Sequence, residues 1–551
     1  MRHLCLAFFI LLSGLSGLGA EPKKYWVYFT DKGPLTKSYP SISERSMERR
    51  VKRTRPPFFD STDIKVYKPY IDEIKKRGMA VENVSRWLNA LSVTASFTDI
   101  QGLRDLTFVR DVRPVLTTQI PYPTRHPDLN KGIPSFLLRF DYGRSFTQNQ
   151  QIRIVDAHQM GYSGQDVLVA VFDTGFNLNH EALLHLDVLA SYDFIHDDSF
   201  VGYDSTQDTI NQPHHGTQIL SILAGFKSGE LVGPAFSSQF ILAKTEIANQ
   251  EIIAEEDNWV AAAEWADSIG ADIISASLGY NKWYQKEDLN GSIPAITRAA
   301  DLAVQKGMVV VVAAGNEADD EWGTILAPAD GDSVISVGAV DSRGIIAPFS
   351  STGPSADGRI KPEVVAMGMS VRTVHNPLGE KTGRRYASIN GTSASTPLVA
   401  GAAAILLSAF PDTEPMLIRE ALIQTADRAD TPDNVYGYGL VNTVNALYYL
   451  GNPFPLIDTP ETVAAYPNPF SADRGLIISF TLKEKKHITI RIFNSLGQIV
   501  AVLWDGQRLA GSNQHVTWYG RNLQGHRVTS GVYFIEFLST KRIVQKVTLL
   551  N

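Results

Sequence analysis

The chain has 551 residues, of which 44% are hydrophobic and 20% charged, a composition typical of globular proteins. Its formal net charge of −7 provides no large positive field, which argues against a nucleic-acid-binding protein. The only cysteine, Cys5, lies in an apolar N-terminal segment. We therefore expect the rest of the chain to hold no thiol or disulfide and to gain its stability from a large core.

Residues 1–20 have the pattern of a secretory signal peptide. Arg2 and His3 begin it, an apolar segment follows over residues 4–12, and small residues close it at positions 17, 19 and 20. The apolar segment is too short to span a bilayer, and we find no later stretch that is long enough. The sequence therefore predicts an exported protein without a membrane span.

Residues 21–118 predict a small α+β domain. Its expected elements are a strand at 25–29, helices from Ser41 and at 70–78, alternating strand residues at 84–95, a helix at 99–106 and a strand at 108–115. The basic segment 45–53 interleaves acids with its arginines and follows a possible capping box from Ser41 to Glu44. We interpret it as a solvated helix face, with a processing or docking site as the alternative. Residues 119–150, rich in Pro, Asn, Arg and Gln, are typical of a linker.

Residues 151–451 alternate apolar strands with helices. The expected strands are 167–172, 240–244, 273–277, 308–313 and 334–340, and the expected helices are 218–225, 255–268 and 293–306. This alternation predicts a doubly wound α/β fold, a parallel sheet covered on both faces. Functional sites in such sheets lie beyond the carboxyl ends of the strands.

Three short strings in this region each place one reactive group beside small residues. Asp173 ends an apolar strand, His215 precedes Gly-Thr at a helix start, and Ser393 follows Gly-Thr at the start of an apolar helix. An acid, an imidazole and a hydroxyl are the parts of a nucleophilic hydrolase. Each also has a structural explanation, as a turn aspartate, a core histidine or a helix cap. His214 competes with His215, because the physics of the sequence does not separate adjacent imidazoles.

A fourth polar residue, Asn316, follows another apolar strand. Its amide can donate a hydrogen bond to a tetrahedral oxyanion, beside the backbone N–H of Ser393. Two further strings of small residues also lie at strand ends, namely Ser277-Leu278-Gly279 and Ala313-Ala314-Gly315.

On these motifs, taken in the order Asp, His, Ser, residues 151–451 resemble a subtilase catalytic domain of the peptidase S8 type. The resemblance implies a secreted serine endopeptidase that hydrolyses proteins or peptides through an acyl-enzyme. It implies a triad of Asp173, His215 and Ser393, with Asn316 as oxyanion donor. The pocket for the residue before the scissile bond would be lined by Ser277, Leu278, Gly279, Ala313, Ala314 and Gly315.

The position of residues 21–118 makes them resemble a subtilase propeptide. Such a domain implies a zymogen in which the chain's own propeptide is an intramolecular inhibitor, and we expect the maturation cleavage within residues 119–150. A catalytically inactive subtilase fold acting in surface binding or adhesion is the alternative. A sedolisin-type carboxyl peptidase would need Glu at position 215 and Asp at position 316, and neither is present.

Beyond a Pro-rich linker at 452–460, residues 461–551 predict an Ig-like β-sandwich. The expected strands are 477–482, 487–493, 499–503, 514–519, 532–537 and 543–549. The strings YPNPF at 466–470, FNSLGQ at 493–498 and SGVYF at 530–534 resemble type IX secretion sorting domains. The resemblance implies outer-membrane secretion machinery as a partner and a location outside or on the surface of a Gram-negative bacterium. A generic accessory or carbohydrate-binding sandwich is the alternative.

Five aspartates crowd the segment before His215, at positions 193, 197, 198, 204 and 208. Carboxylates on a loop can bind calcium, but no fixed-spacing calcium motif is present. We interpret the segment as an acidic solvated loop and expect no required cofactor and no metal residue, with structural calcium as the alternative.

Overall fold

The computed structural model describes residues 23–34, 42–115, 140–248, 252, 254–319, 321–375, 385–451, 463–466, 468–472, 475–482, 485–508, 511–539 and 542–550. The predicted signal peptide at 1–20, most of the predicted linker at 119–150 and the linker at 452–460 lie outside these residues.

In its described residues, the N-terminal domain is a four-stranded antiparallel sheet with three α-helices, in the strand order β2-β3-β1-β4. Its elements are β1 (Lys23–Phe29), α1 (Glu44–Arg53), α2 (Lys68–Lys76), β2 (Ala80–Ser85), β3 (Ala90–Ala95), α3 (Phe97–Arg104) and β4 (Val109–Val115). The predicted α+β unit is present. The segment expected as one alternating strand over 84–95 is instead a hairpin, because residues 86–89 form a turn between β2 and β3.

Helix α1 is where the prediction of a solvated basic face is wrong. Its N-cap is Ser43, and its residues Arg49, Arg50 and Arg53 are buried. Arg49 and Arg50 both form ion pairs with Asp267 in the central domain, Arg50 at 2.7 Å. The docking alternative therefore describes this helix. The spacing of three to four residues puts these guanidiniums on one side of the helix, facing carboxylates far along the chain.

The central domain contains a seven-stranded sheet in which all adjacent strands run parallel, in the order β13-β12-β11-β10-β5-β9-β6. The strands are β5 (Leu168–Asp173), β6 (Asp187–Asp193), β9 (Gln239–Lys244), β10 (Ile273–Ala276), β11 (Val309–Ala313), β12 (Ile335–Val340) and β13 (Val364–Met367). Two short hairpins flank the sheet, β7 (Phe226–Lys227) with β8 (Leu231–Val232) and β14 (Val371–Val374) with β15 (Tyr386–Ile389).

Eight helices belong to the described part of this domain. They are α4 (Phe146–Gln151), α5 (Ile154–Gln159), α6 (His214–Ala224), α7 (Ala254–Ile269), α8 (Ala295–Gln305), α9 (Thr392–Ala409), α10 (Pro415–Gln424) and α11 (Thr443–Gly451). One face of the sheet packs on α6, α9, α10 and α11, and the other packs on α7 and α8. Along β5, Val169 and Val171 enter the first core while Ala170 and Phe172 enter the second. Burial on both faces explains the continuous apolar strands, and the predicted doubly wound fold is confirmed.

The predicted linker at 119–150 extends too far, because its last residues are helical. Residues 143–151 form helical turns that include α4, and the side chains of Ser145, Gln148 and Asn149 are buried there. Gln148 Nε2 donates to Arg372 O at 3.2 Å, and Asn149 Nδ2 donates to Val232 O at 2.8 Å. These amides look like linker chemistry in the sequence, but they satisfy backbone carbonyls in distant parts of the fold.

Helix α9 corrects the expectation that no later stretch is long enough to span a bilayer. Residues Thr392–Ala409 are apolar and long enough to do so by length and composition, yet 83% of this segment is buried inside the protein. It is the central helix of the core described above.

The C-terminal region consists of two sheets, one of three strands in the order β16-β18-β21 and one of five in the order β17-β23-β22-β19-β20. The strands are β16 (Val463–Tyr466), β17 (Phe470–Ser471), β18 (Leu476–Leu482), β19 (Lys486–Asn494), β20 (Ile499–Arg508), β21 (Gly511–Trp518), β22 (Gly531–Leu538) and β23 (Arg542–Leu550). Phe480 of the first sheet packs on Phe537 of the second, with ring centroids 5.1 Å apart. Side chains from both sheets share one core, as the predicted β-sandwich requires.

Between the N-terminal and central domains, Asp267 of α7 contacts three arginines. Its carboxylate accepts hydrogen bonds from Arg49, Arg50 and Arg86 and is itself fully buried. Trp26, Tyr28 and Trp87 extend the α7–α8 core into the N-terminal domain. The domains are thus held by a buried apolar contact together with buried ion pairs.

We expect Asp267→Asn to weaken this docking by about 3–5 kcal/mol, because removing one partner of a buried ion pair leaves the other charges uncompensated. Amide hydrogen exchange across α1 in the full-length protein measures the effect, and α1 should lose protection. The matched control is Glu287→Gln, which neutralises an exposed carboxylate. Equal protection in the two variants would show that Asp267 does not hold the domains together.

Candidate active site

Asp173 and His215 meet at the carboxyl end of β5. Asp173 is the last residue of that strand and is fully buried, while His215 is the second residue of α6 and 22% exposed. Asp173 Oδ1 accepts hydrogen bonds from Thr174 N and from His215 Nδ1, both at 2.7 Å. A proton held on Nδ1 leaves the lone pair of the neutral ring on Nε2, the atom that can act as a base.

The close approach of His215 to Asp173 requires a glycine at position 216. A Cβ at Gly216 would collide with Gly175 O and lie 2.9 Å from Asp173 Cβ. The first turn of α6 therefore crosses the end of β5 with no room for a side chain. The glycine that follows His215, and does not follow His214, has this physical basis. His214 instead packs edge-on against His375, with ring centroids 5.8 Å apart.

Two opposing effects act on the pKa of His215. Burial lowers it, but the charge of Asp173 and the hydrogen bond to its carboxylate outweigh burial, so the pKa lies above the ordinary value of 6.5. The ring is then a neutral base only above that raised pKa. The protonated ring stabilises the fold fully below the unfolded pKa, and this contribution is lost as the pH rises through the folded pKa.

Ser393 lies in the first turn of α9 and is half-buried. The positive end of the helix dipole favours negative charge at this position. The carbonyl of Ser393 accepts a hydrogen bond from Ser277 Oγ at 2.9 Å, which ties the serine to the residues that follow β10. Helices α6 and α9 pack against each other, so His215 and Ser393 are on adjacent elements. Within the described residues, no hydrogen bond joins the two side chains, a common situation without substrate.

Asn316 is exposed and is oriented by the residue before Ser393. Its Oδ1 accepts hydrogen bonds from Thr392 N at 2.9 Å and Thr392 Oγ1 at 3.1 Å, which leaves the Nδ2 amide as the donor. A Cβ at Gly391 would lie 2.8 Å from Ser393 Oγ and 3.7 Å from Asn316 Nδ2. The hydroxyl and the amide thus border the same space, which stays open because Gly391, at φ +143°, has no side chain.

The residues predicted to line a pocket follow two adjacent strands. Residues 277–279 come directly after β10, and residues 313–315 end and follow β11. A third segment, which the sequence motifs missed, connects them. Leu326 N donates to Ala314 O at 3.0 Å, and Ala327 N donates to Tyr280 O at 3.0 Å. Thr392 was missed as well, although its place directly before Ser393 was a usable signal.

Two aspartates of the predicted acidic loop, Asp193 and Asp208, are buried and ion-paired. The side chains of Asp193 and Asp208 are 0% and 1% exposed, and Lys244 Nζ lies 2.7 Å from the first and 2.5 Å from the second. Donor atoms of Asp193, His196 and Asp208 all lie within 4.8 Å of one another, a spacing that suits a metal ion. The ammonium of Lys244 contacts both carboxylates of this donor set.

A parallel α/β fold with an acid, an imidazole and a hydroxyl at one sheet edge defines a class of serine hydrolases. Residues 164–439, half of the chain, match the Subtilase family. The chain therefore belongs to the subtilases and is a serine-type endopeptidase. Residues 24–128 match the Peptidase S8 propeptide domain of Bacteroidota, and residues 464–550 match a secretion system C-terminal sorting domain.

Curated relatives agree with this assignment. Subtilisin DY of Bacillus licheniformis is 34% identical over 286 residues, which cover 51% of this chain and 91% of that protein. Subtilisin E of Bacillus subtilis (strain 168) is 30% identical over 374 residues, covering 67% and 84%. Among solved structures, fervidolysin from Fervidobacterium pennivorans shares the fold with a TM-score of 0.56 at 20% identity, over 95% of this chain and 72% of that one. The resemblances to a subtilase, its propeptide and a sorting domain are thereby confirmed.

We propose that Lys244 takes the place of a metal in the Asp193–Asp208 cluster. Lys244→Met should destabilise the protein by about 3–5 kcal/mol, because two buried carboxylates lose their only nearby ammonium among the described residues. Lys227→Met, which removes a partly exposed pair with Glu181, is the control and should cost less than about 1 kcal/mol. Urea unfolding measures both. A melting temperature that EDTA lowers in the wild type but not in Asp208→Asn would instead assign the cluster to calcium.

Proposed function

We propose that Asp173, His215 and Ser393 form the catalytic triad of a secreted endopeptidase that is made as a zymogen, with Asn316 as oxyanion donor. The observation that carries the proposal is the 2.7 Å hydrogen bond between His215 Nδ1 and Asp173 Oδ1. It fixes the tautomer that a general base needs, on the helix that packs beside the Ser393 helix.

The proposed reaction begins when Ser393 Oγ attacks the scissile carbonyl carbon while its proton moves to His215 Nε2. Asp173 stabilises the imidazolium, and the oxyanion accepts hydrogen bonds from Asn316 Nδ2 and Ser393 N. The intermediate collapses as the imidazolium gives its proton to the departing amine, which leaves an acyl-enzyme. Water then attacks the ester with His215 as base, releasing the acid product and restoring the serine.

The N-terminal domain is proposed to be the intramolecular inhibitor of this site. Its docking through Asp267 and the shared apolar core supports a role in holding the zymogen together. Because helical turns begin at residue 143, we place the maturation cleavage before residue 140, within the segment 119–139. The Asp267→Asn variant bears on this proposal too, since weaker docking should let activity appear sooner after synthesis.

The catalytic proposal predicts a graded series of losses. Ser393→Ala should abolish labelling by a fluorophosphonate and lower kcat on a casein-like substrate by about 10⁶, the size of this loss in a subtilisin. Asn316→Ala should keep the labelling site but lower kcat by about 10²–10³, as losing one such donor does in a subtilisin.

Ser395→Ala is the matched control for this series. Ser395 belongs to the same helix, and its hydroxyl donates to Thr392 O at 2.9 Å. This variant should remain active. A wild-type protein that neither labels at Ser393 nor cleaves protein would favour the alternative, an inactive fold that serves in surface binding.

We further propose that residues 1–20 direct export and that the C-terminal sandwich passes the protein to the outer-membrane secretion machinery. The match to a sorting domain supports this route. Truncation after residue 460 should leave labelled enzyme in the periplasm of the producing cell, whereas the full-length protein reaches the surface or the medium. Retained labelling shows that the truncated enzyme has folded. Normal export of that truncated enzyme would contradict the proposal.

A further inference from the structure

The segment 325–327 closes the gap between the two proposed pocket walls. Strands β10 and β11 are parallel neighbours, with Ala276 paired to Val312, so residues 277–279 and 313–315 leave the sheet side by side. Leu326 N is bonded to Ala314 O on one wall. Ala327 is bonded to Tyr280 on the other in both directions, at 3.0 Å and 2.8 Å. The backbone of Leu326 and Ala327 therefore links the two predicted pocket walls.

Side chains alternate in this extended segment. Ile325 and Ala327 are fully buried in the core beneath α7 and α8. The side chain of Leu326, between them in the sequence, instead lies against Gly279 and Gly315 of the predicted pocket walls. It is 7% exposed.

The leucine fills the space between the two walls. A Cβ at Gly279 would lie 2.9 Å from both Cβ and Cδ1 of Leu326, and a Cβ at Gly315 would lie 2.6 Å from Leu326 Cγ. Both glycines are therefore in contact with one apolar side chain. Leu326 therefore occupies volume that the two glycines would otherwise leave open between the predicted walls.

We propose that Leu326 determines substrate specificity by forming the base of this pocket, so that the enzyme cleaves after small uncharged residues such as Ala, Ser or Gly. The inference rests on the proposed function, which assigns this pocket to the residue before the scissile bond. A larger side chain has to displace a packed leucine, and overpacking is unfavourable. A charged side chain would meet an apolar base with no partner for its charge.

The expected size of this preference follows from how strongly enzyme pockets discriminate between substrate side chains of different size. One methylene more or less changes kcat/KM by roughly 10- to 200-fold. Peptide substrates that differ only in the residue before the scissile bond should therefore be cleaved at least about 10-fold faster with Ala than with Phe or Lys. Leu326→Ala should shift the Phe/Ala ratio of kcat/KM upward by a similar factor, while Leu326→Val should shift it less in the same direction.

The matched control is Ile325→Val, which shortens the neighbouring side chain on the core side. It should lower stability and leave the Phe/Ala ratio unchanged. All rates are referred to the concentration of enzyme that reacts with a fluorophosphonate, so a poorly folding variant does not alter the ratio, and Leu326→Val replaces Leu326→Ala if the latter does not fold.

The outcomes separate the two proposals. A wild-type protein that is not labelled at Ser393 overturns the proposed function and this inference with it. Normal labelling with a Phe or Lys preference overturns this inference alone, as does a ratio that neither Leu326 variant changes. Cleavage after Ala in the wild type, together with a shift in the Leu326 variants and none in Ile325→Val, supports it.

Discussion

The site depends on the parallel register of three adjacent strands. Strands β5, β10 and β11 run in the same direction, with Phe172 paired to Ala276 and Ala276 paired to Val312. Their carboxyl ends are thus at one edge, where Asp173 and the two pocket segments begin. Helix α9 packs on this sheet and brings Ser393 to the same edge, although Ser393 lies 220 positions after Asp173 in the sequence (393 − 173). No local segment holds the site, so its geometry is only as rigid as the sheet.

Buried charge is the second constraint, and the molecule compensates it in more than one way. Asp173 is stabilised by a hydrogen bond from an imidazole, Asp193 and Asp208 share the ammonium of Lys244, and Asp267 pairs with arginines of another domain. The first two arrangements remain within the central domain. The pairing of Asp267 with arginines lasts only while the N-terminal domain stays docked. At the same interface, burial raises the pKa of Glu264 above its usual range. A carboxylate freed from such an interface regains its hydration, which offsets part of the docking free energy that is lost.

The fold and the candidate site were largely predictable from the sequence because their signals are local. Asp173, His215, Asn316 and Ser393 each lie beside small residues at a strand end or a helix start, and strand periodicity places the strand-end residues at one edge. The remaining features depend on partners far away in the sequence. The burial of Arg49 depends on Asp267, 218 positions on, and the burial of Asp208 depends on a lysine in β9. Leu326 was missed because its segment carries no strand pattern, and its role arises from contacts with two glycines in other segments, Gly315 and the more distant Gly279.

The glycines at the site have a consequence for how this enzyme tolerates change. Gly216 lets α6 cross β5, Gly391 keeps open the space between hydroxyl and amide, and Gly315 makes room for Leu326. At each of these positions the local geometry depends on the absence of a Cβ atom. A Cβ added there would meet Gly175 O at position 216, the Ser393 hydroxyl at position 391 and the Leu326 side chain at position 315. The three glycines therefore act on the site through the space they leave free, whereas Asp173, His215 and Asn316 act through hydrogen bonds.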